Sequence, residues 1–148
     1  MYTVEKIESI DASVFNQMYA DDQERLSSYV GFDNVDRYRQ PFECTDQQTL
    51  LFKVSDGDTV KAYVVGVADD TDARVINMIT AGSDTITHFV EPSANLLKSL
   101  GFTNVIFYTY TNVSTYGYIK NNLNRDDVYH YVSEEMVGDV CHITLNLL

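Results

Sequence analysis

Basic side chains are scarce in this chain: ten lysines and arginines stand against twenty-two aspartates and glutamates, giving a net charge of −12. Affinity for nucleic acid rests largely on neutralising phosphates, so this balance argues against direct DNA or RNA binding. It fits a solubilising surface, or one that docks on a basic protein partner. Cysteine is also rare. Cys44 and Cys141 lie far apart with no CxxC spacing, which implies two reduced thiols in an intracellular protein. The three histidines, His88, His130 and His142, share no ligand spacing with them or with one another, and no metal site is expected. The chain has no apolar run of about eighteen residues and no basic segment leading into an apolar one, so neither a membrane partner nor an export signal is expected.

What is present is an ordinary globular composition. Of 148 residues, 45% are apolar and they are spread throughout. A chain of this length buries roughly two thirds of its unfolded surface, and residues 1–148 are expected to form a single domain. Tyr2, Val4 and Ile7 alternate with polar neighbours as a first strand over Tyr2–Ile10, and Asp11 is placed to cap the next element. Val14, Phe15, Met18 and Tyr19 form one helical stripe; Leu26, Tyr29 and Val30 form a second, closed by Gly31. Asp21 with Glu24 three residues on resembles a capping box, which predicts two short helices. From Phe32 to Gln48 the periodicity disappears, and Pro41 among polar residues predicts a connecting segment.

Next comes a meander. Leu50–Val54 and Val60–Ala68 flank the turn Ser55-Asp56-Gly57-Asp58, and Arg74–Thr80 continues beyond the polar turn Asp69–Asp72. Three carboxylates in that turn do not make a calcium loop. Ile86, Phe89, Val90, Leu96, Leu97 and Leu100 then recur at helical spacing, with Pro92 expected to start or kink the helix and Gly101 to stop it. The next strand, Asn104–Tyr110, is apolar on both faces, and the intervening helix is long enough for a right-handed crossover. The fourth and fifth strands should therefore run parallel and adjacent. A helix over Val113–Leu123 and a hairpin of Val128–Ser133 with Val140–Leu147 around Gly138 complete the expected order. The class is α+β: a mixed, mainly antiparallel sheet with one parallel pair and helices on both faces.

This order resembles the Gcn5-related N-acetyltransferase (GNAT) fold over essentially the whole chain. The similarity is greatest where Leu96-Leu97-Lys98-Ser99-Leu100-Gly101 runs into Asn104-Val105-Ile106-Phe107, with Asn112 standing where that family places an Asn before its next helix. The resemblance implies an acetyl-CoA site, and it also exposes departures. The family's Arg/Gln-x-x-Gly-x-Gly/Ala loop, whose amides hold the CoA pyrophosphate, corresponds here to Ala81-Gly82-Ser83-Asp84-Thr85, with one glycine, no arginine and an added carboxylate. The family's general-acid tyrosine, seven residues after the Asn, falls on Ile119, and Tyr118 is one place early, about 100° around a helix.

Those departures favour a non-catalytic docking or assembly protein without cofactor, similar to degenerate GNAT-like virion components of tailed phages, located in the virion or host cytoplasm and partnered by other virion proteins. The alternative is an acetyl-CoA-dependent N-acetyltransferase with a divergent loop, in which Gly82, Ser83 and Asn112 bind the cofactor and Tyr118 supplies the proton to the leaving thiolate. A third reading is an acidic inhibitor of a nucleic-acid-binding enzyme. Tyr108, Tyr110, Tyr116 and Tyr118 would group beside any cleft, although aromatics also fill strand surfaces routinely. No acid on the third or fourth strand stands out as a general base. Cys141 is expected in the core with His142 on the opposite face, and Cys44 has no partner that would make it a nucleophile.

Overall fold

The computed structural model describes residues 1–27, 34–82, 84–110, 117, 121, 129–138 and 140–147. Its strands are β1 (Tyr2–Lys6), β2 (Thr49–Asp56), β3 (Thr59–Asp69), β4 (Asp72–Thr80), β5 (Asn104–Tyr110), β6 (Tyr129–Val137) and β7 (Val140–Leu147). They form one sheet in the order β1-β2-β3-β4-β5-β7-β6. Every pairing in it is antiparallel except β4 with β5, as the crossover helix requires. That helix is α4 (Ile86–Ser99); α1 (Ala12–Asp21), α2 (Gln23–Ser27) and α3 (Val35–Glu43) precede β2. No helix among the described residues is long and apolar enough to cross a membrane.

Alternation along β3 shows why helices cover both faces. Tyr63 and Val65 join Phe15, Met18, Tyr19, Leu26, Tyr38 and Phe42 in the core under α1, α2 and α3. Ala62 and Val64 join Ile86, Phe89 and Leu97 in the core under α4. A third apolar cluster packs Ala94 of α4 against Tyr129, Cys141, Ile143 and Leu145 of the closing hairpin. Cys141 is buried there and Cys44 is exposed; both are free thiols.

Asp11 caps α1 as its position implies, its carboxylate accepting from the Ser13 amide at 3.0 Å and the Val14 amide at 3.4 Å. Hydrogen bonding by the Ser13 hydroxyl, then by the Val14 amide, holds this carboxyl below the ordinary aspartate value. The two short helices are found, with the break at Asp22. Tyr29, Val30 and Gly31 lie outside the described residues.

The segment expected to be a connection is instead largely helix: α3 runs from Val35 through Pro41 to Glu43. Asn34 starts it, its side-chain oxygen accepting from the amides of Asp36 at 2.9 Å and Arg37 at 3.2 Å. Tyr38 and Phe42, four residues apart and both buried, anchor one face in the aromatic core. On the other side Arg39 pairs with Asp36 at 3.0 Å and Glu43 at 2.8 Å. Burial of two rings outweighs the proline penalty near the helix end. Replacing Asn34 with alanine removes the cap and should cost about 1 kcal/mol, read as a melting-temperature drop of about 2–4 °C. An unchanged melting curve would show that the cap contributes nothing.

Pro92 does not start α4, which begins six residues before it. The crossover holds because Phe89 and Leu97, on either side of the proline, are both buried against the sheet.

Candidate active site

β4 and β5 stay together for only four pairs, from Asp72 opposite Asn104 to Val75 opposite Phe107. Beyond that point β4 continues against β3 as far as Thr80, while β5 continues against β7 as far as Tyr110. The sheet therefore opens into a fork between its two parallel strands. The cause lies on β4. Val65 faces Asn77 and Gly66 faces Val75, so Ile76 is an extra residue, a β-bulge. A bulge bends and twists its strand, and here it does so one residue past the last β4–β5 pair.

The bulge also exchanges the faces of β4. Val75 and Met78, three residues apart, both pack towards α4, whereas Ile79 belongs to the opposite core. Ile76 itself is left 47% exposed. Gly66 makes the arrangement sterically feasible: a Cβ there would lie 2.4 Å from the Arg74 carbonyl oxygen. Past the bulge, side chains engage the backbone of Met78. Its amide donates to the Asn77 carboxamide at 2.8 Å, and its carbonyl accepts from the Tyr38 hydroxyl. α3, which the sequence pattern hides, thus reaches the fork.

At the end of β4 a polar turn leads into α4. Arg25 of α2 donates to the Thr80 carbonyl at 3.1 Å and pairs with Asp22 at 2.5 Å. The Thr80 hydroxyl donates to the Gly82 carbonyl at 2.9 Å, and the buried Thr85 hydroxyl donates to the Ala81 carbonyl. Carbonyl oxygens along the turn are thereby turned towards donors. Gly82 has φ +92, a conformation glycine adopts at little cost. Thr85, at the N-cap of α4, makes no side-chain capping hydrogen bond, and the Thr87 and His88 amides of the first turn donate to the Asp84 and Thr85 carbonyls at 3.2 and 3.0 Å. Asp84, exposed beside it, is the one carboxylate of the turn.

On the face of the sheet away from α4, Arg74 and Tyr108 meet across the closed end of the fork, guanidinium donating to phenol. Arg74 also pairs with Asp69 at 3.1 Å. The hydrogen bond to Tyr108, then that to Asp69, raises the guanidinium above its ordinary pKa and keeps it charged. His142 of β7 sits edge-on to the Tyr108 ring, centroids 4.5 Å apart at 80°. On the α4 side the fork adjoins an apolar cavity of about 70 Å³, lined by Val75, Met78, Phe89, Ala94 and Phe107 among others.

Of the residues the sequence singled out, Gly82 stands at the turn into α4 and Tyr108 at the closed end of the fork. Ser83, Asn112, Tyr116 and Tyr118 lie outside the described residues, as do the Tyr110 side chain and most of the expected Val113–Leu123 helix. Sequence reasoning missed Gly66, Ile76 and His142 as parts of one site. The apolar run of β3 contains a single glycine, and that was the available signal for the bulge.

No protein-family model matches the chain and no curated protein matches it in sequence. Solved structures do. The PaiA N-acetyltransferase of Thermoplasma acidophilum in complex with coenzyme A superposes with TM-score 0.67 at 9% identity, covering 97% of this chain and 98% of that one. The aminoglycoside acetyltransferase AAC(6')-Ib in complex with coenzyme A gives 0.67 at 9% identity, over 99% and 94%. The GNAT domain of S. lividans PAT gives 0.65 at 14% identity, over 97% and 89%. The chain has the GNAT fold. The expectation of a non-catalytic virion component is corrected here, because these structural likenesses are acetyltransferases, two of them holding coenzyme A. That expectation gave the missing glycines more weight than the architecture of the site.

Proposed function

We propose that the chain is an acetyl-CoA-dependent N-acetyltransferase whose cofactor lies in the fork between β4 and β5. The observation that carries this reading is the fork itself: two parallel strands that separate at a bulge, in a fold whose solved examples include coenzyme A complexes. Strand edges parted in this way present amide and carbonyl groups to an extended ligand, and the two amides of pantetheine can join them as a short added strand. The turn at Gly82 and the start of α4 would receive the pyrophosphate, with Ser83 contributing from the same turn and Asn112 from the segment after β5. Asp84 opposes that anion, so affinity should be lower than a glycine-rich, carboxylate-free turn would give.

Transfer requires an unprotonated amine to attack the thioester carbonyl, followed by departure of the CoA thiolate with a proton. Tyr118 is the residue assigned to supply that proton. The test is calorimetric titration with acetyl-CoA. Binding in the micromolar range is expected, corresponding to about −8 kcal/mol. An absence of heat at millimolar ligand would end the acetyltransferase reading.

A further inference from the structure

The acceptor side of the reaction needs a group that removes a proton from the amine, and the register of the last three strands brings candidates together. Tyr108 on β5 lies opposite His142 on β7, and His142 lies opposite Glu135 on β6. Directly opposed residues in antiparallel pairs share a face, so phenol, imidazole and carboxylate form one row across three adjacent strands. That face is the one away from α4. Cys141, Ile143 and Leu145, the alternate residues of β7, fill the core on the α4 side, and His142 points the other way.

The row meets the fork at its closed end. Tyr108 is the first β5 residue past the last pair with β4, and its hydroxyl is held by Arg74. The histidine is half-buried and the glutamate exposed, so the row runs from the fork outwards to solvent. Among the described side chains, the charged and titratable groups around the imidazole on its neighbouring strands are Tyr108, Arg74 beyond it, and Glu135. An acylated thiol lying in the fork would present its carbonyl beside this row.

We propose that the Tyr108–His142–Glu135 row is the acceptor site for a cationic primary amine, with His142 as the general base. This rests on the acetyl-transfer reading. Glu135 attracts the ammonium ion, and an imidazole nitrogen of His142 takes one of its protons. The freed nitrogen lone pair forms the N–C bond to the thioester carbonyl, and the C–S bond breaks with its electron pair leaving on sulfur. The thiolate takes the Tyr118 proton, the acylated nitrogen gives up its second proton to restore that tyrosine, and His142 releases the first to solvent, so the products are N-acetylamine, CoA thiol and one proton. Tyr108, fixed by Arg74, is a positioning residue that holds the imidazole by its ring.

The deciding experiment follows the imidazoles by long-range 1H–15N correlation while acetyl-CoA, and separately CoA, is added. H142Q identifies the His142 signals, and its melting curve reports whether it folds. His130 lies towards the other end of β6, opposite Asn146, and serves as the reference. The His142 signals should move with acetyl-CoA, by a different amount with CoA, while those of His130 stay in place. In thiol-release assays with spermidine as acceptor, H142Q should lower kcat by about 100-fold and remove the acid limb of the pH profile. Its acetyl-CoA affinity should stay within about twofold of wild type, a factor worth only a few tenths of a kcal/mol. E135Q should raise KM for spermidine more than it lowers kcat. Acetyl-CoA that binds without moving the His142 signals, or H142Q with wild-type kcat and an intact acid limb, overturns the proposal while leaving acetyl transfer standing. No acetyl-CoA binding at all removes the acetyl-transfer reading and this proposal with it.

Discussion

Replacing Phe15 with alanine should destabilise the protein by about 3–5 kcal/mol and lower its melting temperature by about 10 °C or more. Phe15 is fully buried at the junction of three elements. Its ring meets Tyr38 edge-on at 5.4 Å, Phe42 at 5.0 Å and 62°, and Tyr63 at 6.4 Å in a near-parallel stack. Removing it leaves a hole between α1, α3 and β3 that rings fixed on separate backbones cannot collapse to fill. The loss also reaches the fork, because Tyr38 is both a wall of that hole and the donor to the Met78 carbonyl there. Denaturant unfolding of F15A beside F15L separates the two causes. Leucine keeps most of the volume, so F15L should lose less than half as much, and equal losses in both variants would mean that cavity formation is not the mechanism.

The sheet was largely legible from the sequence because its strands alternate or saturate in apolar residues and its turns carry Asp-Gly or runs of aspartate. β5 was found at its observed limits, Asn104–Tyr110, since a run apolar on both faces between a glycine stop and a threonine-rich segment has few other readings. The parallel pair followed from connection length alone. α3 was not legible. Its nine residues include only three large apolar side chains and a proline, and local propensity votes against a helix that the aromatic core imposes.

The site was less legible than the fold for a related reason. A bulge is a property of a pair of strands: nothing within Asp72–Thr80 marks Ile76 as the extra residue until Gly66 is set opposite Val75. The same holds for the row at the closed end of the fork. Tyr108, Glu135 and His142 are separated by 27 and 7 positions in the sequence, and only the register of β5, β7 and β6 aligns them. Motif reasoning looks for neighbours along the chain, and it registered the thin glycine loop at Ala81–Thr85 while the fork, which depends on pairing, stayed out of view. That is why the absent motif pointed away from the activity proposed for the fork.

Gly66 offers the sharpest separation of stability from ligand binding. In G66A the new Cβ would stand 2.4 Å from the Arg74 carbonyl oxygen and 3.2 Å from its carbon. Both are backbone atoms, so relief cannot come from a side-chain rotation. β3 and β4 must move apart or the bulge must slide, at a cost of about 1–3 kcal/mol by analogy with overpacked cores. Either movement changes where β4 leaves β5, and acetyl-CoA affinity should fall at least about tenfold, equivalent to about 1.4 kcal/mol of binding. G101A is the control. Gly101 has φ +96, so alanine there is strained, yet its Cβ meets nothing within 4 Å and it precedes the end of β5 where the strands remain paired. G101A should lose stability while keeping wild-type affinity. If G66A binds acetyl-CoA as tightly as G101A does, the bulge does not shape the cofactor site, and the fork is a consequence of sheet twist alone.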